Sequence, residues 1–216
     1  MLRKFSLISA LLLPMSALAH PHVFVHVDMA VVFEPDGTVA VRLDWVYDEY
    51  FSMLVTSDLG VDLDGDLQLT PQEQALLDEQ VAAWPPDFDG DLEVLQDDKP
   101  LPLAPKRDHS MVYEDGLLRE THLRPLADLA DRAAALTILP YDPTYYIAYT
   151  LAGPVTVEGR DDCEVSVIPA NLDAAYTLVE ELLYGRPASD VGPDEDFPEV
   201  GRSFADTVVV TCAGLL

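Results

Sequence analysis

The sequence predicts a mainly-β protein with an α insertion: an antiparallel β-sandwich carrying an EF-hand-like helix-loop-helix and one late helix. Three observations predict it. Stretches rich in β-branched and aromatic residues recur along the chain with turn residues between them. Helical patterning interrupts them between residues 48 and 84. After that, Leu172 to Tyr184 alone reads as a helix.

The elements follow in order. Val23 to Phe33 and Val39 to Tyr47 flank Glu34-Pro35-Asp36-Gly37, so a β-hairpin is expected at the start. Residues 48–59 suit a short helix and Pro71 to Trp84 a clearer one. Pro71 fits a first helical turn, Leu76, Leu77 and Val81 form an apolar stripe, and Pro85-Pro86 stops it. Short strands are expected at 92–96, 110–114, 117–123, 134–139, 145–151, 154–158 and 163–168. Asp97-Asp98, Asp115-Gly116 and Gly153-Pro154 supply turns between them. Gly185 ends the late helix, an acidic, Pro- and Gly-rich loop covers 185–200, and Phe204 to Cys212 reads as a last strand.

Residues 1–19 read as a secretory signal peptide. Arg3 and Lys4 form the charged start, Leu7 to Leu13 the apolar run, and Ala17-Leu18-Ala19 the small-residue cleavage site. The run is too short for a comfortable membrane span, and no later segment replaces it. Residues 20–216 are then expected to form a single exported, periplasmic domain.

The chain has 12 basic and 39 acidic residues, a net charge of −27. Loss of Arg3 and Lys4 leaves ten basic residues against 39 acidic, a net charge of −29. Such a surface repels nucleic acid and anionic lipid and attracts cations. Cys163 and Cys212 are the two cysteines, and in an oxidising compartment a disulfide between them is the expectation.

Asp62 to Glu73 matches much of a calcium-binding EF-hand loop. Asp62, Asp64 and Asp66 occupy positions one, three and five, Gln68 offers its carbonyl at seven, Thr70 stands at nine and Glu73 at twelve. Position six is Leu67, where the turn favours Gly. A Leu held at positive φ costs on the order of 1 kcal/mol, which weakens the case for Ca²⁺. The alternative is an acidic loop that caps a helix, but three alternating Asp and a Glu at this spacing favour Ca²⁺ in a structural role.

Three of the five histidines, His20, His22 and His26, fall within seven residues. In an extended segment they share one face with Asp28. Neutral imidazole suits Zn²⁺, Ni²⁺ and Cu²⁺. A square-planar amino-terminal site using His22 is excluded because Pro21 lacks the N–H that must deprotonate. A tetrahedral Zn²⁺ site with further ligands stays open, as does a copper histidine brace at His20. His109 and His122, in separate expected strands, are candidate distant ligands. Protease-helix, nucleophile-elbow and P-loop motifs are missing from the sequence, so an enzyme is not expected.

His20-Pro21-His22-Val23-Phe24, Asp44 to Phe51, the loop at 62–73, Tyr141 to Tyr149 and Cys163 together resemble the domain of unknown function 1007 family. The resemblance covers essentially the whole exported part. It implies a periplasmic accessory of a metal transport system, serving a membrane permease or ABC transporter components, with His20 and His22 as site residues. Read alone, Tyr141, Asp142, Tyr145 and Tyr146 are a turn with aromatic anchors. The expected function is therefore transition-metal binding (Zn, Ni or Cu) with a structural calcium loop. The alternatives are a calcium-stabilised interaction module for a membrane partner, and a histidine-brace copper protein.

Overall fold

The computed structural model describes residues 21–85, 88–127, 135–186, 191 and 197–213. The expected signal peptide and His20 lie outside them, as do residues 187–190 and 192–196 of the expected acidic loop. Two β-sheets face each other. The first contains β1 (Val23–Phe33), β2 (Val39–Tyr47), β5 (Arg107–Glu114), β6 (Leu117–Pro125), β8 (Ile147–Leu151) and β9 (Thr156–Glu158). The second contains β3 (Leu92–Gln96), β4 (Lys99–Pro100), β7 (Leu136–Pro140), β10 (Cys163–Ile168) and β11 (Thr207–Cys212).

The opening hairpin forms as its sequence dictates. Glu34 N–H donates to the Thr38 carbonyl, and Gly37, at φ 92°, supplies the left-handed step. Alternation along β1 buries Val23, Val25 and Val27 and exposes Phe24, His26 and Asp28. Val41, Leu43 and Trp45 of β2 join this inner face, and Val94, Ile138, Val208 and Val210 of the second sheet close the core.

The sandwich departs from a purely antiparallel pattern at β1, which pairs parallel with both β8 and β9. β8 follows β7 of the opposite sheet, so the chain crosses between layers before it pairs, and the crossover permits the parallel direction. Cys163 and Cys212 face each other in the β10–β11 register and are joined as a disulfide.

The helical insertion comprises α1 (Glu49–Leu59) and α2 (Pro71–Val81). Asp48 caps α1 by accepting from Phe51 N–H, and Gly60 ends it in the left-handed region. Thr70 and Glu73 form a capping box on α2, with Pro71 in the first turn. α2 ends at Val81, before Trp84 is reached. Of its expected stripe, Leu77 is buried while Leu76 is exposed. Both helices pack against the β5–β6 hairpin: Ser52 of α1 accepts from Leu118 N–H, and Gln74 of α2 donates to the Met111 carbonyl. The late helix α3 (Leu172–Leu182) packs Ala175 and Val179 on Val200 and Phe204, a cluster apart from the sandwich core. A 3-10 turn at Gly201–Phe204 stands where the last strand was expected to begin.

Candidate functional site

Three segments that carry the family resemblance meet at the start of β1. The N–H groups of His22 and Val23 both donate to the Tyr146 carbonyl, at 2.8 and 3.2 Å. The His22 ring lies tilted on Tyr146 with centroids 4.8 Å apart. Asp48 gives one carboxylate oxygen to Phe24 N–H (2.8 Å) and the other to Phe51 N–H (2.9 Å), so it ties β1 to α1. Asp142 accepts from Thr144 N–H, the Thr144 hydroxyl and Ile147 N–H, which fixes the turn leading into β8. Tyr145, at φ 59°, stacks on Phe204 at 3.8 Å, whereas Tyr146 is half-exposed.

His22, His26 and Asp28 are all exposed, the last two on the outer face of β1. At about 3.3 Å of rise per residue, His22 and His26 stand about 13 Å apart along the chain. Each therefore occupies its own place on that face. Asp28 is opposed across the sheet by Asp44, which accepts from the Thr121 hydroxyl at 2.6 Å.

The acidic loop holds carboxylate oxygens of Asp62, Asp64 and Asp66 within 4.8 Å of one another. Among the described residues this is the one cluster of His, Cys, Asp and Glu that meets that spacing. Leu67 adopts φ 63°, the left-handed conformation its position demands. Glu73 faces the loop backbone, accepting from Asp62 N–H and Thr70 N–H at 2.9 Å each. These bonds, those from Thr70 first, hold its carboxyl below the ordinary value. Gln68 makes a lone antiparallel bridge to Glu114, and the Tyr113 hydroxyl donates to Asp62 at 3.2 Å. The acidic loop is thus docked on β5 at two points.

A polar cluster lies inside the sandwich. β6 turns Leu118, Glu120, His122 and Arg124 inward and Arg119, Thr121 and Leu123 outward. Glu120 accepts from the Tyr47 hydroxyl at 2.8 Å and is hydrogen-bonded to His109 Nε2 at 2.9 Å. His122 is 0 % exposed, edge-on to Trp45 and Trp84, and neither ring nitrogen has a hydrogen-bond partner. Burial first, then Arg124, His109 and Lys106, push its pKa down to about 3, so it is neutral. Burial, aided by Glu120, raises the Tyr47 phenol. Lys106 lies over the Trp84 ring at 4.5 Å and donates to the Val81 carbonyl. Arg124 lies over the same ring and donates to the Asp89 and Ala104 carbonyls.

A cleft of about 600 Å³ opens beside this cluster. It is walled by Trp45, Phe51, Trp84 and Phe88, and Tyr47 and Glu120 also line it. A smaller pocket shares Val81 and Met111 with it and is lined by His109. Sequence reasoning placed His109 and His122 in separate strands as distant candidates and did not single out Glu120. Glu120 stands opposite Met111 in the β5–β6 pairing, a register set by the tertiary structure.

The chain matches the family model described as "Protein of unknown function (DUF1007)" over residues 5–212. An uncharacterized protein of Haemophilus influenzae is 23% identical over 217 residues, covering 98% of this chain and 100% of the relative. With the match spanning nearly the whole sequence, the chain belongs to the DUF1007 family.

Proposed function

We propose that this is a periplasmic, transition-metal-binding accessory of a metal transport system, a binding protein rather than an enzyme. Zn²⁺ stands ahead of Ni²⁺ and Cu²⁺, and a membrane permease or ABC transporter component is the partner. The observation that supports it most is the convergence of His22, two residues after His20, with Tyr146, Asp48 and Asp142 at the start of β1. A metal held there would be accessible for transfer, since His22 and the outer face of β1 are exposed. The acidic surface concentrates cations toward it. The disulfide between Cys163 and Cys212 is compatible with an oxidising compartment, and among the described residues no helix is long and apolar enough to cross a membrane.

The test is a competitive titration with Zn²⁺, Ni²⁺ and Cu²⁺ in excess Ca²⁺, beside a variant carrying His20→Ala, His22→Ala and His26→Ala. Tight binding lost in the variant supports the reading. Equal, weak binding by both proteins rejects it.

A second reading is a calcium-stabilised interaction module. It is favoured by one observation, the Asp62–Asp64–Asp66 cluster docked on the β5–β6 hairpin through Gln68 and Tyr113. In either reading Ca²⁺ at this loop rigidifies the insertion. Stability that rises with Ca²⁺, with no tight transition-metal site, would favour the second.

A further inference from the structure

We infer that the aromatic cleft between the helical insertion and the first sheet binds a small organic cation, a protonated primary or secondary amine on an apolar body. The site is separate from the amino-terminal histidines. Its volume of about 600 Å³ falls within the range of about 300–1,000 Å³ usual for small-molecule sites. α1 contributes Phe51 and Val55, the segment after α2 contributes Trp84 and Phe88, and strands β2 and β6 contribute Tyr47 and Glu120. Phe51, Val55, Trp84 and Phe88 are each only half-buried, so apolar surface remains for a ligand to cover.

Charge selects the ligand. Among the described residues that line the cleft, the charged side chains are Glu120 and Asp58, both carboxylates. Lys106 and Arg124 lie outside the lining, over the Trp84 ring, and are directed at the Val81, Asp89 and Ala104 carbonyls. The Glu120 side chain is 4 % exposed, whereas Asp58 is exposed near the end of α1. A carboxylate offers about four lone-pair positions. The Tyr47 hydroxyl occupies one on Oε2 and His109 Nε2 is hydrogen-bonded to Oε1, so Glu120 retains acceptor capacity.

That capacity excludes the other ligand classes. An anion would meet two carboxylates. A neutral apolar molecule would strip water from Glu120 and return no hydrogen bond, which is costly. A quaternary ammonium brings charge but no N–H to donate. A protonated amine brings both, and its bond to Glu120 is of the strong, charge-assisted kind. The net charge of −27 adds a long-range attraction for cations. The charges of Lys106 and Arg124, close behind the Trp84 ring, oppose the ligand and limit its affinity.

The chain has two tryptophans, Trp45 and Trp84, and both line the cleft, so tryptophan emission reports its occupancy. The probe is phenylbutylamine, titrated at neutral pH in excess Ca²⁺ beside phenylbutanol and phenylbutyrate. A saturable change is expected with the amine, about tenfold tighter than with the alcohol, and none with the carboxylate. Glu120→Gln keeps the side chain's size and removes its charge. It should lower the amine's affinity about tenfold with the alcohol's little changed and the circular dichroism as in the wild type. No saturable response to the amine, equal affinity for amine and alcohol, tighter binding of the carboxylate, or amine affinity untouched by Glu120→Gln would each overturn the inference. The comparison of probes uses wild-type protein alone, so it decides the matter even where the variant does not fold. The variant carrying His20→Ala, His22→Ala and His26→Ala should bind the amine as the wild type does, so the amino-terminal metal reading fails or stands independently.

Discussion

The Tyr47 hydroxyl donates a 2.8 Å hydrogen bond to Glu120 across 73 residues of sequence, joining the end of β2 to the interior face of β6. Both groups are buried, at the wall of the aromatic cleft. Tyr47→Phe removes the donor and leaves one carboxylate oxygen short of a bond. The expected loss is about 1–3 kcal/mol of stability, read as a lower midpoint in urea with an unchanged slope.

Asp91 makes stability depend on pH. It is buried and accepts from the Tyr149 hydroxyl at 2.7 Å. Burial, with Asp142 and Asp89 adding, pushes its carboxyl up to about 7 despite that bond. The folded state therefore binds the Asp91 proton more tightly than the unfolded chain does. Its contribution is fully present below about pH 4 and is lost as pH rises through 7, by up to roughly 4 kcal/mol. His122, with its pKa pushed down to about 3, acts in the opposite direction below its ordinary value. The difference between wild type and Asp91→Asn isolates the Asp91 part. Relative to wild type, the variant should gain stability steadily from pH 4 to pH 7.5 in thermal unfolding with chelator present.

Leu67→Gly tests the acidic loop. The φ of 63° costs Leu on the order of 1 kcal/mol and costs Gly far less. If that strain is released on Ca²⁺ binding, the variant no longer gains from the release and calorimetry should show affinity falling about fivefold. If affinity is unchanged, the left-handed turn is equally strained with and without the ion.

The disulfide holds the edge strand β10 to β11. Cys163→Ser with Cys212→Ser opens a loop spanning 49 residues. On the chain-entropy estimate this costs about 4 kcal/mol. The measurement is urea unfolding, with amide exchange in β10 expected to accelerate more than exchange in β1.

Much of the fold was legible because its signals are local. Turn chemistry at Glu34–Gly37, the cap at Thr70 and the alternation along β1 each act within a few residues. The left-handed strain at Leu67 was legible for the same reason. The interior cluster was not. On β6 the leucines at 117, 118 and 123 fall on both faces, so alternation does not say which side is inside. Pairing with β2 and β5, with the helices packed alongside, turns Glu120 and His122 inward.

The sequence by itself determined the mainly-β class with its helical insertion, the cysteine pair, the acidic loop and the alternation that puts His26 and Asp28 on one face of β1. Each depends on backbone preference and side-chain period, which a short segment carries within itself. Only the tertiary structure decided that β8 and β9 run parallel to β1 and that Tyr146 and Asp48 meet the start of β1. It also decided that His109, Glu120 and His122 converge beneath Trp84. Those contacts join segments many residues apart, and they are selected by how two sheets bury their shared face rather than by the preference of any one segment.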